Sequence, residues 1–338
     1  MRTRSRTAAA AAALLALAVL AGCGDDPEPT AEAPTAEAPA AGDLAGGAVL
    51  PDQLSVSPDG AQVLADCWEG ICRWDTADGS LTEVSGGSHL AITPDWSLLA
   101  GADGPTVLLV DADTGDTTAE LDGLAGEEAT DGSVVQAVAF SPDGELVAAA
   151  GAEPEVRIWG TDGADVATIA TESEVHALAF SPDGTRVATA GGGPVEVYAV
   201  PSGELVGTLP RSSGESDGLA WSPDGAWIAG PGPGGAPAVW NAADLSLEAV
   251  LDGRFLQQLT FAPESRTVAF TDREDDTVRL WTPVDNGVRE LVGHTDDPVA
   301  VAFAPDGRTL YSASARDGVL AWDVRAEKLR DELELPRG

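Results

Sequence analysis

Residues 291–323 read LVGHTDDPVAVAFAPDGRTLYSASARDGVLAWD. An alternating apolar run, PVAVAF, meets a tight turn, APDG. A second run, TLYSAS, leads through ARDG into a third, GVLAWD. Alternation with Pro/Asp/Gly punctuation is the pattern of strand, hairpin turn and strand. Proline presets φ at the first corner of such a turn. Aspartate bonds back to nearby N–H groups, and glycine takes the positive φ.

The same phrase recurs along the chain. Ser-Pro-Asp-Gly begins at Ser57, Ser141, Ser181 and Ser222, with variants at Thr93 (TPDW), Ala262 (APES) and Ala304 (APDG). Successive copies start 36, 48, 40, 41, 40 and 42 residues apart. An aromatic anchor ends the third strand of six copies: Trp74, Trp159, Tyr198, Trp240, Trp281 and Trp322, with Val110 in the remaining one. A polar turn and a fourth apolar run follow each anchor. Four strands in about 40 residues, seven times over, predict an all-β fold, a seven-bladed β-propeller of four-stranded antiparallel blades, over residues 48–338.

These residues resemble the WD-repeat (WD40) propeller family, with the last copy matching best. The stretch WSPDGAWIAG, residues 221–230, is closer to the related TolB-type propeller repeats. The WD40 resemblance implies a buried hydrogen-bonded network of His294, Asp317, Trp322 and a hydroxyl. That hydroxyl is Ser312 or Ser314, because SASARDG carries one extra residue. Such a network holds strands together and catalyses nothing. Most other copies lack its His and Asp. Ring closure stays open: KLRDELEL near the C-terminus and AVLPDQLSV near the N-terminus compete for the last blade's outer edge.

Ahead of the repeats lies an export signature. Arg2, Arg4 and Arg6 precede an unbroken apolar run, Ala8 to Leu20, which is too short to span a bilayer as a helix. The run ends in Leu-Ala-Gly-Cys23, similar to the lipobox of bacterial lipoproteins. That resemblance implies a signal peptide over 1–22 and lipid on Cys23. It places the protein on the outer face of the bacterial cell membrane, touching the membrane only through that lipid. Residues 23–47, rich in Ala, Pro and Glu, are too poor in large apolar groups to form a core and read as a disordered tether. With Cys23 consumed, Cys67 and Cys72 remain. Outside the cytoplasm they form a disulfide, whose short loop contributes about 2 kcal/mol in the chain-entropy model. A metal pair is the lesser alternative.

The 338 residues hold 56 Asp+Glu against 18 Lys+Arg, a net charge of −38. Loss of residues 1–22 removes three arginines and takes it to −41. Phosphate backbones repel such a chain, so no nucleic-acid partner is expected. Segments assigned to the face that carries the blade-to-blade loops hold seventeen acids, among them Glu127, Glu128, Asp131, Glu274, Asp275 and Asp276. Their two bases are Arg211 and Arg273. Either this face selects a basic or cationic protein or peptide, or the whole surface is acidic.

Chemistry is sparse. No GxSxG, HExxH or Walker A sequence is present. Asp111–Asp116 reads as a strand-connecting turn before it reads as a calcium loop. His89 and His176 fall on innermost strands, as a polar channel lining. No cofactor or metal is expected, and the chain is read as a monomer. Two functions follow: a non-enzymatic extracytoplasmic scaffold for protein–protein contacts, or a propeller enzyme of quinoprotein or lactonase type.

Overall fold

Each Ser-Pro-Asp-Gly turn is tied by its own side chains. The serine hydroxyl donates to the aspartate Oδ1 at 2.7 Å in Ser57–Asp59, 2.7 Å in Ser181–Asp183 and 2.6 Å in Ser222–Asp224. The same serine oxygen accepts the backbone N–H five residues on, at 2.8 Å from Gln62 and 2.9 Å from Trp227. The turn glycine sits in the left-handed region, as at Gly184 (φ 69°). In TPDW the same slot falls on Trp96 (φ 62°), an uncommon conformation for a residue with a side chain.

The computed structural model describes residues 54–333 apart from 68–69, 85–87, 125–134, 213–217, 254–255, 264–265, 273–275 and 285. For 66, 67, 70, 82–84, 88–90, 256, 257 and 272 it describes the backbone alone. The leader, Cys23 and the tether lie outside these residues. What is described forms seven four-stranded antiparallel sheets, each with its strands in chain order. We number these blades 1 to 7: residues 54–84, 88–121, 135–170, 175–208, 220–250, 256–292 and 298–333.

Strand composition follows position in the blade. Second strands are covered on both faces by neighbouring blades, so they are small and apolar throughout. Leu146–Gly151 (LVAAAG) and Thr309–Ser314 (TLYSAS) are nearly or wholly buried. Fourth strands meet solvent on one side and alternate, as in Leu247–Val250. Seven apolar clusters fill the spaces between blades, each drawn from two consecutive blades around the ring.

The two competing edges resolve. Lys328–Leu333 pairs with Gly318–Asp323 and completes blade 7 from its own chain. Leu54–Val56 is the innermost strand of blade 1. Among the described residues no strand is shared across the closure. The seam is held by side chains instead: Leu54, Val63 and Trp74 against Tyr311, Ala313, Val319 and Leu333. Cys67 ends the second strand of blade 1 and Cys72 lies in the third, paired with Ala65. The Cys67 side chain lies outside those described.

Candidate functional site

The third strand of blade 7, Gly318–Asp323, brings Trp322 beside the second strand, where Ser312 points the same way. The indole N–H donates to Ser312 Oγ at 2.7 Å. His294 reaches Ser312 Oγ through Nε2 at 2.6 Å and Asp317 Oδ2 through Nδ1 at 3.1 Å. Asp317 also accepts the Thr295 N–H and hydroxyl, both at 2.6 Å, and the Ser314 hydroxyl at 3.1 Å. This donor set makes Asp317 an anionic acceptor. It therefore assigns the proton to His294 Nδ1 and leaves Nε2 to accept from Ser312.

Both serines take part, in different roles. Ser312 joins His294 to Trp322, and Ser314 supports Asp317. Burial is nearly complete: Ser312, Ser314 and the His294 side chain have no exposed surface. Burial pushes the His294 pKa down against the opposing pull of Asp317. At Asp317 burial alone would raise the pKa, but the bonds from Thr295, His294 and Ser314 outweigh it and hold the carboxyl low. Gly293 is required by packing, since a Cβ there would lie 2.8 Å from the Trp322 ring.

A carboxylate, an imidazole and a hydroxyl in line form the arrangement of a nucleophilic triad. Here the hydroxyl oxygen is fully enclosed and already accepts the Trp322 N–H.

The other blades solve the same position differently. By strand register, the Ser312 place is held by Ala65, Gly101, Ala149, Thr189, Gly230 and Phe270. Tyr198 donates to the buried Glu196 at 2.6 Å. Trp240 donates to the Pro210 carbonyl at 3.1 Å, and Trp281 to Asn286 at 3.0 Å. The Trp74 N–H has no acceptor among the described residues. Two arginines at matching positions act as inter-blade clamps. Arg157 donates to the Asp122 carbonyl and pairs with Asp165, and Arg279 donates to the Asp252 carbonyl and lies 3.8 Å from Glu290. An Arg two residues before the Trp anchor is their sequence signal. Without the neighbouring carbonyl it reads only as surface charge.

Of the loop acids, Glu127, Glu128, Asp131, Glu274 and Asp275 lie outside the described residues. Asp276 is described, half-buried at φ 51°. His176 sits at a bulge in its innermost strand, 3.7 Å from Glu174. The His89 side chain lies outside those described. Among the described residues no three His, Cys, Asp or Glu converge as metal ligands.

The opposite face, where the Ser-Pro-Asp-Gly turns lie, is acidic too. Asp59, Asp95, Asp143, Asp183 and Asp224 are held below the usual carboxylate range, chiefly by the hydroxyls of their own turns. At Asp306 burial opposes the shift, and bonds from Thr309 and Arg308 overcome it. Acidity is thus no property of the loop-bearing face alone.

Residues 138–224 match the family model described as the anaphase-promoting complex subunit 4 WD40 domain, and residues 286–323 match the WD domain, G-beta repeat. WD repeat and SOCS box-containing protein 1 of Danio rerio is 37% identical over 71 residues, 20% of this chain and 17% of that protein. Nuclear distribution protein PAC1-1 of Uncinocarpus reesii is 28% identical over 134 residues, 33% of this chain and 30% of that protein. Nuclear distribution protein nudF of Emericella nidulans is 26% identical over 159 residues, 40% and 36% respectively. These matches span well under two thirds of the relatives' own length. Over residues 138–224 and 286–323 the chain is similar to WD40-repeat proteins, and its seven four-stranded blades form a β-propeller.

Proposed function

We propose that the protein is a non-enzymatic scaffold for protein–protein contacts, exported and held by lipid on Cys23 to the outer face of the bacterial cell membrane. The observation that carries the scaffold reading is the enclosure of the His294–Ser312–Asp317 network. In this triad-like constellation the Ser312 hydroxyl and the His294 side chain have no exposed surface, and the group serves to lock blade 7. The similarity to WD40-repeat proteins supports the same reading. A rigid propeller with variable connections is suited to docking, because loops on a fixed frame can vary without unfolding it. Strong acidity favours a basic partner and steers its approach.

The anchor rests on the arginines, the apolar run and the Leu-Ala-Gly-Cys23 sequence. One acyl chain holds weakly and two hold stably, so the reading calls for a multiply acylated cysteine. A Cys67–Cys72 disulfide belongs to it as well, since export exposes both thiols to an oxidising compartment.

Crosslinking and co-purification of the full-length protein from its native membrane tests the scaffold. A reproducible partner with basic surface supports it, and recovery of nothing above background removes it. Labelling with a fatty-acid probe, with and without Cys23→Ala, tests the anchor. Label that persists in the variant overturns it.

A further inference from the structure

Among the described residues the seam between blades 7 and 1 is packed by side chains, and it leaves a cleft of about 290 Å³ on the turn-bearing side. Its walls are apolar at Pro305, Ala321 and Leu333, and its polar lining includes Asp59, Asp306 and Asp331 against the single base Arg330. Arg330 donates to Thr309 Oγ1 at 3.0 Å and also draws on Asp306, and three carboxylates against this one guanidinium leave the cleft net negative. Tyr311 also lines it. This side chain is 7% exposed, and its hydroxyl has no hydrogen-bond partner among the described residues. It shares the cleft lining with Arg330, Asp306 and Asp331.

The chain shows elsewhere what such a notch accepts. Between blades 5 and 6, Arg266 follows the turn of blade 6 and reaches back to the turn of blade 5. Its Nε donates to Asp224 Oδ2 at 3.0 Å, and its guanidinium lies 4.9 Å over the Trp227 ring. At the seam the residue in Arg266's place, just after the turn of blade 1, is Ala61. Asp306, in the place of Asp224, is present, and no arginine follows the blade 1 turn to meet it.

We propose that the seam cleft is a docking slot for an arginine side chain of a protein partner. The guanidinium sits between Asp59 and Asp306 and donates to the Tyr311 hydroxyl, and its alkyl stem lies along Pro305, Ala321 and Leu333. Long cationic side chains pair an apolar stem with a charged head in this way, and a planar guanidinium suits carboxylate acceptors. This site rests on the reading of the propeller as a scaffold for a basic partner, and it places that contact at the seam on the turn side.

The chain has two tyrosines, Tyr198 and Tyr311. Full-length protein grown with 3-fluorotyrosine therefore gives two fluorine resonances, and Tyr311→Phe assigns them. Titration with a blocked Gly-Arg-Gly tripeptide is expected to shift the Tyr311 resonance saturably and leave Tyr198 unmoved. The citrulline counterpart, uncharged and nearly isosteric, is expected to bind at least fivefold more weakly. Ala61→Arg fills the notch in cis and abolishes the shift. Asp59→Asn, which keeps the turn's acceptor oxygen, weakens it without depending on how Ala61→Arg folds. An unmoved Tyr311 resonance, equal binding of citrulline, or a shift unchanged in both variants overturns the proposal. A native partner that crosslinks only to the loop-bearing face, with the tripeptide silent, removes the slot and leaves the scaffold reading standing.

Discussion

The Trp322 indole N–H donates to Ser312 Oγ at 2.7 Å, joining the third strand of blade 7 to the second inside a fully enclosed space. Because the same oxygen also serves His294, its removal leaves two buried polar groups unmatched. Ser312→Ala is therefore expected to destabilise the protein by about 2–4 kcal/mol. Urea unfolding measures this. The added change Trp322→Phe should restore part of the loss, since it removes one orphan. A double variant that merely sums two penalties would deny the coupling.

Blade 1 offers the converse experiment. Trp74 pairs with Val63 as Trp322 pairs with Leu310, and Ala65 pairs with Cys72 as Ser312 pairs with Leu320. Ala65 thus holds the place of the missing acceptor, and the Trp74 N–H is buried without one. Ala65→Ser is expected to stabilise by about 1 kcal/mol. A higher urea midpoint at unchanged slope is the readout, and a lower midpoint would show that the added hydroxyl finds no geometry there.

The propeller was legible because its signals are local and repeated: a turn whose serine and aspartate hold each other, and an aromatic anchor at near-constant spacing. The blade 7 network was legible down to one ambiguity. Ser312 and Ser314 are two residues apart on a strand, so they share a face and both reach the network. Ring closure was not legible, because KLRDELEL and AVLPDQLSV both alternate and only pairing separates them. Nor was Tyr311. It immediately precedes Ser312 on the strand and faces the other way, toward blade 1, where sequence shows an apolar position and not an empty cleft beside it.

Acid stability should depend on the turn carboxylates. Asp183 is lowered from 3.8 to about 2, first by the Ser181 hydroxyl and then by the Thr185 backbone and hydroxyl. A carboxyl depressed on folding lends stability that is complete above its unfolded pKa and is lost as pH falls through the folded one. For Asp183 that window runs from about pH 4 to about pH 2. The group is largely exposed, so solvent screening keeps the effect small. Asp183→Asn retains the hydrogen-bond acceptor and removes the titration. Its thermal midpoint should fall less steeply over that window than that of the unmodified chain. Parallel curves for the two proteins would show that the turn aspartate does not couple to folding.

His294 gives a pH dependence of its own, at higher pH. Burial lowers its pKa from the free value of 6.5, against the raising pull of Asp317. Below pH 6.5 the unfolded chain therefore binds a proton that the folded chain refuses, and stability declines as pH falls. While the folded state stays neutral, the slope is about 1.4 kcal/mol per pH unit. The decline ends where the folded imidazole itself takes the proton. His294→Gln keeps polar atoms in the space but cannot titrate, so its stability should be lower at neutral pH and flatter between pH 6.5 and 5. Urea midpoints measured across that range decide the matter. A variant as steep as the parent would mean that the proton is taken up elsewhere, and that the imidazole enclosed by Ser312, Asp317 and Trp322 is not the group whose neutrality holds blade 7 together.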